Sequence, residues 1–183
     1  MPGTDKQYED VIKLCKDIFD KKLKDYGTAW RILRPSSITD QIFIKAQRIR
    51  SLETKKEQKI DEGIIPEYIG IINYALIALI QLELGTSENI NLEPEEVKKM
   101  YLNYFKKAKE LMMKKNHDYD EAWRSMRVTS FTDLILMKIF RTKEIENNDG
   151  ETLISENVDA NYYDMINYAV FALIKLVTEK NKK

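Results

Sequence analysis

One stretch of this sequence occurs twice. Residues 25–31 read DYGTAWR and residues 118–124 read DYDEAWR. With Tyr26 aligned on Tyr119, the two copies stay in register without a gap through the whole of the next predicted helix. One inserted residue in the following loop brings the copies together again at the letters INYA, residues 72–75 and 166–169. The chain is therefore a duplicated unit, and a period of this length suits a three-helix unit better than a short solenoid repeat.

Apolar residues in the first half recur at helical spacing and predict three helices. The second of these is predicted to start at Ser37, after a break at Pro35, because the letters SITD offer a hydroxyl cap and an early carboxylate. The third is predicted to begin with Pro66 in its first turn and to end at Gly85. It is apolar nearly all round, which predicts a central position. The first helix carries its apolar stripe on Tyr8, Val11, Ile12, Cys15, Ile18, Phe19 and Leu23.

The second half repeats this pattern from Pro94, which opens the fourth helix. The fifth helix is predicted to open at Thr132-Asp133, and the sixth to run from about Asn161 to Thr178. No run of residues reads as a strand of useful length. The predicted fold is all-α, a six-helix bundle built from two tandem pseudo-symmetric three-helix units. Packing the units together would bury the apolar surface of each central helix, so we expect one domain. Its parts are residues 1–85, a polar linker at 86–93, and residues 94–183.

Charge and composition exclude several classes of function. Lysine plus arginine number 30 and aspartate plus glutamate number 30, which argues against a dedicated binder of duplex nucleic acid. The single cysteine, Cys15, lies on the apolar face of the first helix and is interpreted as a core residue in a reducing compartment. No signal peptide is visible, and the most apolar run, residues 69–80, is too short to span a bilayer. We expect a soluble, cytoplasmic protein with no membrane partner.

Basic side chains are retained in both copies while core residues have drifted. Retained polar identity points to a site, because a bundle needs only its apolar pattern. In the first half the cations could converge on a phosphate group, which arginine grips with two hydrogen bonds and lysine as a point charge. Two alternatives stay open: a structural ion-pair network of the arginines with Asp40 and Asp133, or a solvated border of each helix. The candidate phosphate-binding residues are Arg31, Arg34, Lys45 and Arg48, with Arg124, Arg127, Lys138 and Arg141 in the second copy.

The two tryptophans and two asparagines also occupy matching places. Trp30 and Trp123 could each stack on a nucleobase, but filling the top of a helical hairpin is the favoured interpretation. Asn73 and Asn167 lie inside apolar helices and must find hydrogen-bond partners there. Fixing the register between helices is their favoured role, and orienting a ligand is second.

Acidic residues near the third and sixth helices are candidates for a metal site. Carboxylates at positions i and i+3 share a helix face and can hold a hard cation such as magnesium. Here that pair is split, since the first half reads Glu67-x-x-Gly70 and the second reads Asn161-x-x-Asp164. The halves could build one composite site or carry one degraded site each. The candidate metal ligands are Glu62, Glu67, Glu156 and Asp164.

The motif DYGxAWR, followed by SxTDxIxxKxxR and by INYA in an apolar helix, resembles the nucleotide-modification-associated helical family of bacteria and phages. The resemblance covers nearly the whole chain, twice. That family is in turn similar in outline to the all-α nucleoside triphosphate pyrophosphatases, which include MazG-like proteins and dimeric dUTPases. Those proteins pair helical units, bind magnesium through acids on helices, and split a nucleoside triphosphate into monophosphate and pyrophosphate. This sequence departs from their pattern of acidic residues. The second helix of each unit offers only one acid, Asp40 or Asp133, and the acid pair of the third helix is divided between the two halves.

The resemblance implies a nucleotide-handling protein. One version is a Mg²⁺-dependent pyrophosphohydrolase, in which the metal activates water for attack on phosphorus. Another is a catalytically degenerate relative that binds a nucleotide without cleaving it. A homodimer is compatible with either version. The alternative from a different class is a non-enzymatic helical interaction or scaffold module, in which the retained polar residues serve only the structure.

Overall fold

The computed structural model describes residues 3–55, 60–153 and 157–179, and gives only the backbone of residues 60–62 and 178. Every regular element in these ranges is helical, and no strand occurs among them. Two 3-10 turns, Ala29–Ile32 and Ala122–Ser125, follow the first and fourth helices. The sixth helix continues as a π-helix over Ile174–Thr178. The α-helices are α1 (Thr4–Tyr26), α2 (Pro35–Thr54), α3 (Ile60–Leu84), α4 (Pro94–Tyr119), α5 (Val128–Asn147) and α6 (Val158–Leu173).

The six helices pack as two related halves. Within each half the second and third helices lie against each other, α2 on α3 and α5 on α6. Across the halves α3 packs on α6, α2 on α5, and α1 on α4. Each helix therefore meets its own counterpart, which is the contact pattern of a pseudo-two-fold axis. The buried apolar side chains of both halves form one continuous core, and the all-α tandem architecture is confirmed.

Four helix starts differ from the sequence prediction, and the simplest case is α6, which begins at Val158 and not at about Asn161. Helix α2 begins at Pro35 and α5 at Val128. Ser37, the predicted start of α2, and Thr132, the predicted start of α5, therefore lie inside their helices and cap neither of them. Proline suits the first helical position, where its missing N–H would have no partner in any case. Helix α3 begins before Pro66, which lies inside it. The turn upstream of this proline is retained because Ile64 is buried in the core.

The first helix of each half ends in a tight turn at matching positions. Gly27 follows α1 with φ +60°, a left-handed value that residues with a side chain rarely adopt. The second copy has Asp120 and Glu121 there, with φ +49° and +56°, and aspartate is one of the residues that tolerate this conformation best. The predicted end of α1 at the Tyr-Gly turn is thus observed.

Buried hydrogen bonds join the two halves in symmetric pairs. The Tyr8 hydroxyl donates to Asn167 Oδ1 at 2.7 Å, and the Tyr101 hydroxyl donates to Asn73 Oδ1 at 2.8 Å. Each asparagine in turn donates to a carbonyl oxygen of the first helix in its own half, at 3.2 Å from Asn73 and 3.0 Å from Asn167. The asparagines therefore fix the register between helices, as favoured from the sequence. The carbonyls belong to Cys15 and Ala108.

One helix segment, Gly63–Leu84, has the length and composition to cross a membrane, although the apolar run 69–80 alone looks too short. Length therefore does not exclude a membrane span. Most of this segment is buried inside the protein, as in the central helix of a soluble bundle. Cys15 is also buried, and burial raises the pKa of its thiol, which is consistent with the inert core position expected for it.

Candidate functional site

A cavity of about 740 Å³ opens in the first half between α1, the Ala29–Ile32 turn, α2 and α3. Its wall is mainly apolar and aromatic and includes Trp30, which is only half-buried. Tyr74 from α3 and Phe19 from α1 supply further rings. Three α-helices and one short turn therefore contribute to its wall. Its apolar wall also includes Ile18, Leu23, Leu33, Ile69 and Ile77.

Two lysines line the same cavity. Lys45 lies across Gly70, where a Cβ atom would come within 2.8 Å of its Cδ and Cε atoms. Its Nζ is 3.6 Å from a carboxylate oxygen of Glu67 and 5.6 Å from the centre of the Tyr74 ring. Lys22 from α1 is exposed at the cavity rim. The cavity therefore combines aromatic walls with two cations, one of which has only a long ion pair.

The second half has the same elements with different contacts. The Trp123 ring is 5% exposed and lies flat on Phe171, with ring centres 4.3 Å apart and planes 6° from parallel. Asp164 accepts a 2.8 Å ion pair from Lys138 and a 2.9 Å ion pair from Lys115. The favoured interpretation of the tryptophans, filling the top of a hairpin, thus holds for Trp123. Trp30 instead borders open space.

Comparison with protein families gives two matches within this chain. The model described as nucleotide modification associated domain 1 matches residues 22–82 and again residues 115–176. The chain belongs to this family. The two matches begin at corresponding lysines, Lys22 and Lys115, and each covers the tryptophan turn and most of the next two helices. No curated protein and no solved structure matches the chain.

The arginines of the tryptophan turn do not join the lysines of either domain copy. The buried Arg31 donates through Nη1 to Gln81 Oε1 and, at 2.6 Å, to the carbonyl oxygen of Gly85. Arg124 donates at 2.8 Å to both Thr4 and Gln7 of α1. The predicted convergence of these arginines with Lys45 and Lys138 is therefore not formed, because each arginine anchors its turn to a neighbouring helix. The other predicted arginines, Arg34, Arg48, Arg127 and Arg141, are exposed.

The alternative of one ion-pair network around Asp40 and Asp133 is also not formed as expected. Asp40 pairs with Lys143 of the other half at 3.0 Å, and Asp133 pairs with Arg50 at 4.0 Å. Both aspartates are exposed, so these pairs contribute little to stability. They cross between α2 and α5 and do not reach the arginines of the turn.

Of the four acids proposed as magnesium ligands, Glu67 and Asp164 have described side chains, and both form ion pairs. Glu156 and the side chain of Glu62 lie outside the described residues. Glu67 accepts a 2.6 Å ion pair from Arg48 besides the contact with Lys45, and Asp164 is held by its two lysines. Among the residues that the structure describes, no three histidine, cysteine or acidic side chains come together. Of the proposed ligands, Glu67 and Asp164 each already have two cationic partners, and they belong to different halves.

Two buried networks between the halves are absent from the sequence prediction. The Tyr68 hydroxyl lies 2.5 Å from Thr132 Oγ1, which donates to Glu53 at 3.2 Å. The matching network joins Tyr162 to Thr39 at 2.7 Å, and Thr39 to Glu146. Burial raises the pKa of Glu53 and of Glu146 above the usual range, and the threonine hydrogen bond offsets part of that rise. The three residues of one network are identical to those of the other, and this identity is the sequence signal that could have revealed the networks.

A second, larger groove of about 890 Å³ runs along α5 and α6 of the second half. It is lined by both signs of charge, including Arg50, Asp133, Lys138 and Asp164, which already pair with one another or with neighbours. Its cationic groups are therefore mostly neutralised. The first-half cavity remains the stronger candidate site.

Proposed function

We propose that the protein binds a nucleotide in the first-half cavity. The base packs against the Trp30 ring, and the phosphate lies near Lys22 and Lys45. The observation that carries the proposal is that a half-buried tryptophan and two lysines line one cavity. Any nucleobase can stack on a tryptophan ring, and a phosphate attracts lysine side chains. The 3.6 Å ion pair between Lys45 and Glu67 is longer than the pairs that Lys138 and Arg48 make, so Lys45 can contribute to phosphate binding.

Size and lining agree with this proposal. A volume of about 740 Å³ falls within the range of about 300–1,000 Å³ typical of small-molecule pockets. Such pockets are mainly apolar with a few polar groups that fix orientation. The family description, nucleotide modification associated, is consistent with a nucleotide as ligand.

Binding without cleavage is the version that we propose. The pyrophosphohydrolase version needs a magnesium centre, and Glu67 and Asp164 are each paired with two cations. They also belong to different halves. We therefore assign no chemical step to this site, and treat the cavity as a place where the chain recognises a nucleotide.

The test is a calorimetric titration with nucleoside mono- and triphosphates, each with and without magnesium. Wild-type protein should bind at least one of them. A ligand at a hundred times its dissociation constant should add about 2.7 kcal/mol to the free energy of unfolding. Lys45→Met and Trp30→Leu should each weaken binding strongly. Lys138→Met is the matched control, and should leave affinity unchanged at a temperature where that variant is folded.

Three results would count against the proposal. Binding of none of these nucleotides would leave the interaction module as the better hypothesis. Equal loss of affinity in Lys45→Met and Lys138→Met would place the site elsewhere. Binding that requires magnesium, followed by pyrophosphate release, would replace our version with the hydrolytic one.

A further inference from the structure

The cavity of the first half has a filled counterpart in the second half. Among the α3 residues that line this space, four differ from their α6 counterparts, and Ala160 and Tyr163 replace Pro66 and Ile69. The other two differences change the charge and the aromatic content of the space. Gly70 of the first half corresponds to Asp164, and Ile77 corresponds to Phe171. Gly70 and Ile77 line the open cavity, whereas Asp164 and Phe171 both make close contacts in the second half.

Phe171 occupies the place of a stacked ring. It lies parallel to Trp123 at 4.3 Å, which is the geometry a planar base adopts on a tryptophan face. The smaller Ile77 leaves the equivalent face of Trp30 at the border of the cavity. The second half therefore supplies from its own chain the ring that the first half lacks.

Asp164 occupies the place of an acidic group. Its carboxylate is held between Lys115 and Lys138, at 2.9 and 2.8 Å. The corresponding lysines, Lys22 and Lys45, both line the open cavity, and Gly70 offers them no carboxylate. Lys45 instead bends over Gly70 toward Glu67, at the longer distance of 3.6 Å.

We propose that the second half is the same site closed by its own side chains, with Phe171 in place of the ligand's ring and Asp164 in place of its acidic group. The inference rests on the proposed function and adds the ligand class and the stoichiometry. The two side chains stand seven residues apart on one helix, about 10.5 Å along its axis. A ligand that fills both places joins an aromatic ring to an acidic group through a spacer. A nucleoside monophosphate has this form, whereas a free base or inorganic phosphate fills one end only.

Two reciprocal double variants test the inference. Asp164→Gly with Phe171→Ile should open the second half, and calorimetry with nucleoside monophosphates should then give two ligands per chain where wild-type protein binds one. Gly70→Asp with Ile77→Phe should close the first half and weaken binding by at least about tenfold. The new Cβ at position 70 displaces only the flexible end of Lys45, so we expect the closed variant to fold. Circular dichroism and thermal melts confirm folding of each variant.

Fluorescence quenching by acrylamide gives a readout that needs no ligand. In a Trp30→Phe background, opening the second half should make Trp123 markedly more accessible to acrylamide. In a Trp123→Phe background, closing the first half should shield Trp30. These changes are expected even if no nucleotide binds, in which case the proposed function fails while the relation between the halves stands.

Specific results would overturn the inference. If the closed variant binds the nucleotide as tightly as wild-type protein does, the ligand does not occupy the places that Phe171 and Asp164 take in the second half. One ligand per chain in the opened variant, with Trp123 still shielded, would show that those side chains do not close a second site. Equally tight binding of free bases and nucleoside monophosphates would exclude the acidic group from recognition.

Discussion

The buried tyrosine–asparagine bonds between the halves give a quantitative test of the fold. Tyr8 and Tyr101 are both 0% exposed, and each donates its hydroxyl to an asparagine of the opposite half at 2.7 or 2.8 Å. Replacing Tyr8 by phenylalanine keeps the ring and removes only the hydroxyl. Asn167 Oδ1 is then left without this donor in a residue that is 7% exposed.

The expected loss follows from the cost of an unsatisfied buried acceptor. That cost is about 1–3 kcal/mol, larger than the net value of an ordinary hydrogen bond. Because the two bonds are related by the pseudo-two-fold axis, Tyr8→Phe and Tyr101→Phe should lower the free energy of unfolding by similar amounts. Against a typical stability of about 5–15 kcal/mol, either change is readily measured.

Urea denaturation followed by circular dichroism measures the effect. Each variant should lower the denaturation midpoint with an unchanged m-value, since the surface exposed on unfolding stays the same. Tyr119→Phe is the matched control, because its side chain is 71% exposed and surface changes usually stay within about 0.5 kcal/mol. If Tyr8→Phe resembles this control, the reasoning is refuted and the bond is not part of the buried interface. A large loss in only one of the two tyrosine variants would contradict the symmetry.

Two further predictions concern the buried charges. Burial raises the pKa of Glu53 above its ordinary value of 4.5, so the folded protein holds this proton more tightly than the unfolded chain. The ionised Glu53 destabilises the fold, and this cost disappears as the pH falls through the raised pKa toward 4.5, so the free energy of unfolding should gain a contribution over that range. Glu53→Gln should remove this contribution from the plot of unfolding free energy against pH. An unchanged pH dependence would contradict the prediction. Lys138→Met should lower the free energy of unfolding in urea by about 1–3 kcal/mol. The loss is smaller than for breaking a fully buried pair, because Lys115 still pairs with Asp164. No loss would show that the 2.8 Å ion pair does not stabilise the fold.

The fold was largely predictable because the chain repeats. Apolar spacing located the helices, and the duplication implied that the halves pack on each other. Helix starts were less predictable, because the stretch SITD from Ser37 resembles a helix cap although α2 already begins at Pro35. Within that stretch, Thr39 belongs to a buried network with Tyr162. The signal for that network existed in the identical residues of the two copies. A sequence pattern alone does not tell which identical residues meet across the axis.

The candidate site was predictable only in part. Lys45 and Trp30 were identified from the sequence and line the cavity, but the turn arginines were assigned to the wrong surroundings. Arg31 donates hydrogen bonds to two uncharged acceptors, the Gln81 amide and the Gly85 carbonyl. Nothing in the sequence spacing of Arg31 distinguishes this role from phosphate binding. Lys22 was missed because it lies on α1, outside the motif that carried the argument.

The duplication explains why residues at the interface are retained, while positions 70 and 77, which line the cavity, can differ between the halves. At a two-fold contact, the two copies of a residue make equivalent contacts across the axis. A change in one copy must therefore be matched by a change in the residue that it contacts. Tyr8, Asn73 and Thr39, with their counterparts, are under this constraint, since each bonds across or beside the axis. A ligand cavity has no such requirement, because one copy can stay open while the other is filled. The pair Gly70 and Asp164 shows this divergence most directly, and in a duplicated chain such differences deserve the same scrutiny as the identities.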